Sequence, residues 1–261
     1  LRYFIELSYY GKAYHGWQKQ PNAGTVQETI EKALSLLLQE QVSITGAGRT
    51  DTGVHARQMF AHFDTQTEIS AGILVHKLNS LLPGDIAIYR IFPVEENAHA
   101  RFDATSRSYE YRINSFKDPF LTGLSFYYRY PLDVKKMNSA AKILLGHKDF
   151  QCFSKSKTDV RTYFCTIENA EWKRMGDNLL FTITADRFLR NMVRAVVGTL
   201  LEVGQGKLQE ENVKKILESK NRSEAGVSVP AHGLYLTKIQ YPYITDRENQ
   251  KPYNTSKSKT P

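Results

Sequence analysis

Gly46-Ala-Gly-Arg-Thr-Asp-Thr-Gly-Val-His-Ala56 separates two short apolar runs, Val42 and Ile44 before it and Met59, Phe60 and Phe63 after it. Both runs read as strands, so the stretch reads as a strand-to-strand loop. It has neither the GxxxxGK[ST] spacing of a phosphate loop nor a GxGxxG that opens a helix, which argues against a nucleotide-cradling crossover. Its glycines permit close backbone approach to a ligand. Asp51 lies at its centre between Thr50 and Thr52, with Arg49, His55 and Arg57 around it. An aspartate in such a loop ordinarily closes an Asx turn on its own backbone. A carboxylate among cationic groups, on a surface suited to polyanions, also has the composition of a working site.

The elements on either side of this loop set the fold class. Residues 2–9 alternate as a strand. Tyr10 to Gln18 is an aromatic, glycine-containing loop or bent strand, with packing as its ordinary role. Thr25 and Glu28 form a capping box ahead of a helix whose apolar face is Val26, Ile30, Ala33, Leu34 and Leu37. Strands at 42–46 and 58–63 follow. Ile73, Leu74, Leu78 and Leu81 then predict a helix stopped by Pro83-Gly84, and Ile86, Ile88 and Ile91 a fourth strand. This is the βαββαβ order of ferredoxin-like and RNA-recognition-type domains.

His99-Ala-Arg-Phe-Asp-Ala-Thr105 links to a second half with the same order of elements. A strand is expected from Arg107 to Asn114 and a helix behind Asp133, ending at Gly146. A hairpin turns at Met175-Gly-Asp-Asn178. Helices are expected over about 189–201 and 211–218, and a closing strand over 234–239. The expected fold is α+β: two ferredoxin-like domains, 1–105 and 106–244, whose antiparallel sheets join into one extended sheet flanked by helices with a cleft between them. Residues 245–261 read as a polar, disordered tail.

Two further clusters carry chemistry. Arg107, Tyr109 and Tyr111 share one strand face at period two, which serves either ordinary packing or stacking on a base. Arg190 and Arg194 are four apart on the expected helix, placed to pair with a structural or a catalytic acid.

The chain has 261 residues, 35 Lys and Arg against 27 Asp and Glu, and a formal charge of +8, which favours a polyanionic partner. Cys152 and Cys165 lack metal or redox spacing and read as reduced thiols. No apolar run approaches the roughly 18 residues that span a bilayer. A soluble, cytoplasmic protein is expected.

Together these clusters resemble the tRNA pseudouridine synthase A family. The matching pieces run in family order over roughly residues 1–243: Tyr14-His-Gly-Trp-Gln18, Gly48 to Ala56, Leu81 to Ile86, His99 to Thr105, Arg107 to Tyr111, Met192 to Arg194 and Gly233 to Leu236. The Gly48–Ala56 match is specific; the others individually are not. Thr52 departs from the family pattern, in which alanine is commoner. The resemblance implies isomerisation of uridine at positions 38–40 of the tRNA anticodon arm, by a homodimer with no metal or organic cofactor. It implies Asp51 as nucleophile or base, Tyr109 as stacking and proton-transfer residue, and Arg194 as ion-pair partner of Asp51. Arg49, His55, Arg107 and Leu236 are expected at the substrate, Arg49 turning out the base and Leu236 walling the pocket. The competing readings are a non-catalytic RNA-binding protein of paired RRM-like domains and, more weakly, a metal-dependent nuclease using Asp51, His55 and Asp64.

Overall fold

The computed structural model describes residues 1–155 and 160–244; the expected tail lies outside the described residues. Among the described residues, nine strands and five α-helices follow in chain order. The first half comprises β1 (Arg2–Tyr9), α1 (Val26–Leu38), β2 (Ile44–Gly46), β3 (His55–Asp64), α2 (Ala71–Leu81) and β4 (Ile86–Val94). The second comprises β5 (Ser106–Asn114), β6 (Phe126–Tyr127), α3 (Val134–Leu145), β7 (Ile167–Met175), β8 (Asn178–Ala185), α4 (Met192–Gly204), α5 (Asn212–Ser219) and β9 (Leu234–Gln240). The strands form one mostly antiparallel sheet in the order β4-β1-β3-β9-β5-β8-β7, with β2 added on β3 and β6 on β5. The architecture is α+β.

Local chemistry accounts for most of these elements. Thr25 caps α1 by accepting from the Glu28 amide, and Asp133 caps α3 by accepting from Lys136. β7 and β8 are joined through Gly176, whose φ of +61° suits the tight turn. Two boundaries and one buried face differ from the sequence reading, and β6 is not expected from it. β3 begins at His55, so the end of the glycine-rich loop is already strand. In α2, Ile73 and Leu81 are exposed and Val75 joins Leu74 and Leu78 inside, because the apolar stripe is narrower than its residue types imply. α4 begins only at Met192, because Asn191 ahead of it takes a left-handed φ of +66°. Arg190 therefore does not share a helix face with Arg194.

The core divides in two. One cluster packs Phe4, Leu7, Ile30, Leu34, Met59, Phe60 and Leu78 against β1, β3 and β4; the other packs Tyr111, Met137, Trp172, Phe181, Val196 and Leu200 against β5, β7 and β8. β9 contributes to both: Leu236 and Ile239 belong to the first cluster and Leu234 to the second.

The seam between the halves is where β3 changes neighbours. Its start pairs in parallel with β9 (His55 with Tyr235, Ala56 with Leu236), and its end pairs with β2 (Ala61 with Gly46). The Asp51 loop leaves from this break in the ladder. Gln58 fills the break, donating to Glu6 (2.7 Å) and accepting from the Ile239 amide (2.9 Å).

The segment linking the halves is pinned rather than slack. His62 accepts from the Ala100 amide at 3.1 Å and meets the His99 ring at 4.6 Å. Burial, with Arg2 and His99 nearby, lowers the His62 imidazole to about 4; Asp64 and Asp103 oppose this. The unfolded chain takes up that proton at about pH 6.5, so it binds more protons than the native state between pH 6.5 and 4. Stability therefore falls as pH drops through this window, by up to about 3 kcal/mol from His62. Urea titrations at pH 7 and pH 4.5 should show that loss, and His62→Gln should reduce it.

Candidate active site

The Asp51 loop rests on the aromatic segment after β1. Gly16 has a φ of +89°, and a Cβ there would sit 2.4 Å from the Thr50 carbonyl oxygen. The Trp17 amide donates to that oxygen (3.2 Å), and the Gly53 amide to the Tyr14 carbonyl (3.4 Å). Trp17 is buried under Gly46, where an added Cβ would strike the indole. The hydroxyls of Tyr9 and Thr50 bond at 2.8 Å. The Val54 amide closes a turn onto the Asp51 carbonyl at 3.1 Å. The packing role read for Tyr10–Gln18 is thus specific: Tyr14 and Trp17 are buried, and the segment is the bed of this loop.

Two guanidinium groups face the Asp51 carboxylate. Arg194 Nη1 lies 3.5 Å from Oδ2 and Arg190 Nε lies 3.7 Å from Oδ1. Both distances hold an ion pair but are too long for a good hydrogen bond. Among the described residues, Asp51 accepts no side-chain hydrogen bond, so its lone pairs stay open to a substrate while the charge is compensated. Arg194 is fixed from behind: its Nε donates to the Val229 carbonyl (2.7 Å), and the Val229 amide donates back to the Arg194 carbonyl (3.2 Å). The arginine with a bed is rigid; Arg190, more exposed, is the freer one.

A row across the sheet carries the rest. Ala56, Leu236, Tyr109 and Ile183 are successive partners on β3, β9, β5 and β8. The Tyr109 ring is half-buried and meets Phe188 edge-on at 5.2 Å. Burial raises its phenol to about 12; Arg107 opposes this and Asp51 adds to it. Leu236, 2 % exposed, packs in the first core cluster beside Tyr109. Arg49 is exposed on the loop two residues before Asp51.

Two residues expected at the substrate are occupied elsewhere. His55 is 1 % exposed. Its Nδ1 accepts from the Gly11 amide (2.9 Å), its Nε2 faces the carbonyls of Gly123 and His232, and its ring lies between Tyr10 and Tyr235. Burial holds it below the ordinary histidine range. It is a buried clamp, because the early start of β3 turns it into the sheet. Arg107 donates to four carbonyls, those of Ala47, Arg101, Ala104 and Asp186. Its guanidinium staples the loop, the linker and the approach to α4, and so reaches the site only through them. The nuclease constellation also fails on geometry. Asp64 is held by Arg2 through two contacts of 2.8 Å at the far end of β3, nine residues and roughly 30 Å of strand from His55. Among the described residues, no three His, Cys, Asp or Glu side chains stand together to hold a metal ion.

Sequence reasoning offered Arg190 with Arg194 as partner of a structural or catalytic acid, named only Arg194 as the partner of Asp51, and gave Phe188 no place at the site. The motif Phe188-Leu-Arg190-Asn-Met carried the signal, but the left-handed Asn191 that aims Arg190 at Asp51 has no periodicity to reveal it.

This carboxylate, paired with two arginines in a strand-to-strand loop, lies in a chain of the pseudouridine synthase class. The model of the tRNA pseudouridine synthase family matches residues 7–103 and 140–242. The tRNA pseudouridine synthase A of Parabacteroides distasonis is 54 % identical over 242 residues, covering 92 % of this chain and 96 % of that protein. Those of Porphyromonas gingivalis and Bacillus subtilis are 51 % and 40 % identical over 245 residues each, covering 92 % of this chain and 97 % and 99 % of theirs. The chain belongs to the tRNA pseudouridine synthase A family, isomerases that convert uridine in tRNA.

Proposed function

We propose that this protein forms pseudouridine at positions 38–40 of the tRNA anticodon arm, as a cytoplasmic homodimer using no metal or organic cofactor. The observation that carries the reading is the Asp51 carboxylate, charge-compensated by Arg190 and Arg194 yet, among the described residues, accepting no side-chain hydrogen bond, with its charge felt at Tyr109. The two halves are read as two ferredoxin-like domains, 1–105 and 106–244. Their matching strand orders, β4-β1-β3-β2 and β9-β5-β8-β7, support this.

The reaction breaks the bond from uracil N1 to ribose C1′ and makes one from C5 to C1′. The C5 proton leaves and N1 gains one, so no net electron or group is supplied. Two routes start at Asp51. In one the carboxylate attacks C1′; in the other it removes the C2′ proton to give a glycal. Both need an ionised carboxylate with an unblocked oxygen. Arg194 is the fixed partner of that charge, and Arg190 is the one able to turn toward a phosphate. Tyr109 offers a stacking face worth about 1–3 kcal/mol toward the cost of unstacking the uridine. With its phenol near 12 it stays protonated at neutral pH, so it can take the C5 proton only while passing its own hydroxyl proton on to solvent. Leu236 backs the ring beside it, and Arg49, exposed on the Asp51 loop, is read as meeting the RNA beside the extruded base.

The positional claim has its own test. A tRNA transcript with uridines at 38, 39 and 40 should gain pseudouridine there on chemical mapping. Replacing all three with cytidine should leave no product. Equal product from the replaced transcript would rule out the anticodon-arm assignment.

A further inference from the structure

Phe102 is 74 % exposed, yet the loop that carries it is tied to the rest of the protein by several hydrogen bonds. Exposure alone singles out nothing, since Phe120 is 87 % exposed on a short surface turn. What distinguishes Phe102 is its support. The His99 imidazole nitrogen Nδ1 accepts from the amides of both Arg101 and Phe102 (3.1 and 3.3 Å). Asp103 accepts from the His99 amide at 2.7 Å and from the Tyr243 hydroxyl at 2.9 Å. The Ala100 carbonyl accepts from Tyr241 (2.6 Å), and the Arg101 carbonyl from Arg107 (2.6 Å). The Phe102 ring lies 4.2 Å from the His99 ring, and the Arg101 guanidinium lies 5.7 Å from the Phe102 centroid. An apolar ring in water gains nothing for the fold, and a loop held this firmly has already given up the conformational freedom that binding would otherwise cost.

The surroundings select the ligand. Arg101 and Arg49 line one 220 Å³ cavity with Trp17, Gln18 and Gln27. Among the described residues neither arginine has a carboxylate at ion-pair distance. Arg49 is two residues from Asp51, a chain length of at most about 7 Å. Arg107 donates to Ala47 of the Asp51 loop and to Arg101 of the platform, coupling the two. A rigid aromatic face beside two uncompensated guanidinium groups is the equipment that holds an unpaired base by stacking and its phosphate by charge.

We propose that loop 98–105 is a substrate platform: Phe102 stacks on an unpaired base of the RNA neighbouring the target uridine, and Arg101 with Arg49 holds the adjoining phosphate. The proposal rests on the RNA substrate inferred above.

The test is tRNA affinity by filter binding over a series of salt concentrations, with pseudouridine formation by wild type recorded in the same preparation. Phe102→Ala should weaken binding about tenfold with the salt slope unchanged, the size expected for losing one stacked base. Phe102→Trp should bind like wild type. Arg101→Ala should weaken binding and flatten the slope of log affinity against log salt by about 0.7–0.9, the share of one phosphate contact. Thermal melting of all three should match wild type, since these side chains bury little. Phe102→Ala binding within twofold of wild type, while wild type still forms pseudouridine, overturns the platform and leaves the function standing. A changed sedimentation coefficient for Phe102→Ala at unchanged RNA affinity also overturns it, because the ring then meets another protein chain.

Discussion

Asp51→Asn is expected to lower single-turnover pseudouridine formation by roughly 10⁴-fold or more while tRNA affinity stays within a few-fold. The amide is nearly isosteric, so the loop keeps its bed of Gly16, Tyr14 and Trp17. It cannot carry the negative charge that both routes need at C1′ or C2′. Arg190 and Arg194 would face a neutral group, and the two freed guanidinium charges favour a polyanion, so binding has no reason to fall. Quench-flow product analysis and filter binding on the same preparation separate the two effects. Loss of affinity in step with rate would mean that Asp51 holds the structure of the site, not its chemistry.

Gly16→Ala should have the second-largest effect. The added Cβ would lie 2.4 Å from the Thr50 carbonyl oxygen and 3.2 Å from the Asp51 carbonyl carbon, at a φ of +89° that L side chains rarely adopt. The loop has to lift, and displacing the reacting carboxylate by about 1 Å costs on the order of 10²-fold in rate. Backbone strain should lower stability by about 1–3 kcal/mol as well. Gly24→Ala is the matched control: it has nothing within 4 Å of the added carbon and no positive φ, so rate and stability should stay near wild type. Single-turnover rates with denaturant titrations check both variants. A full rate in Gly16→Ala would show that the aromatic segment does not position Asp51.

Periodicity made most elements of both halves legible, because helices such as α1 and α3 bury one face and write that burial into their spacing, whereas the two-residue β6 carries no such signal. Thr25 and Asp133 announced their caps, and Met175-Gly-Asp-Asn178 its turn, through short-range chemistry alone. What stayed hidden depends on pairing across the chain. Nothing near His55 reveals that β9 pairs with the start of β3 and buries the imidazole. Arg107 looked available because its four acceptors come from residues 47, 101, 104 and 186. Arg190 fell on an expected helix face because a single left-handed residue, Asn191, cannot be read from hydrophobic spacing. Asp51 was conspicuous for the opposite reason: glycines, threonines and arginines around one carboxylate are a local pattern.

The most direct test of the central claim is tritium release from tRNA labelled at uracil C5. Forming the C5–C1′ bond expels that hydrogen, whereas binding or strand cleavage leaves it in place. Wild-type protein should release one tritium for each pseudouridine formed, and Asp51→Asn should release it roughly 10⁴-fold more slowly or not at all. No release by wild type, or undiminished release by the variant, would contradict the assignment of this carboxylate to uridine isomerisation.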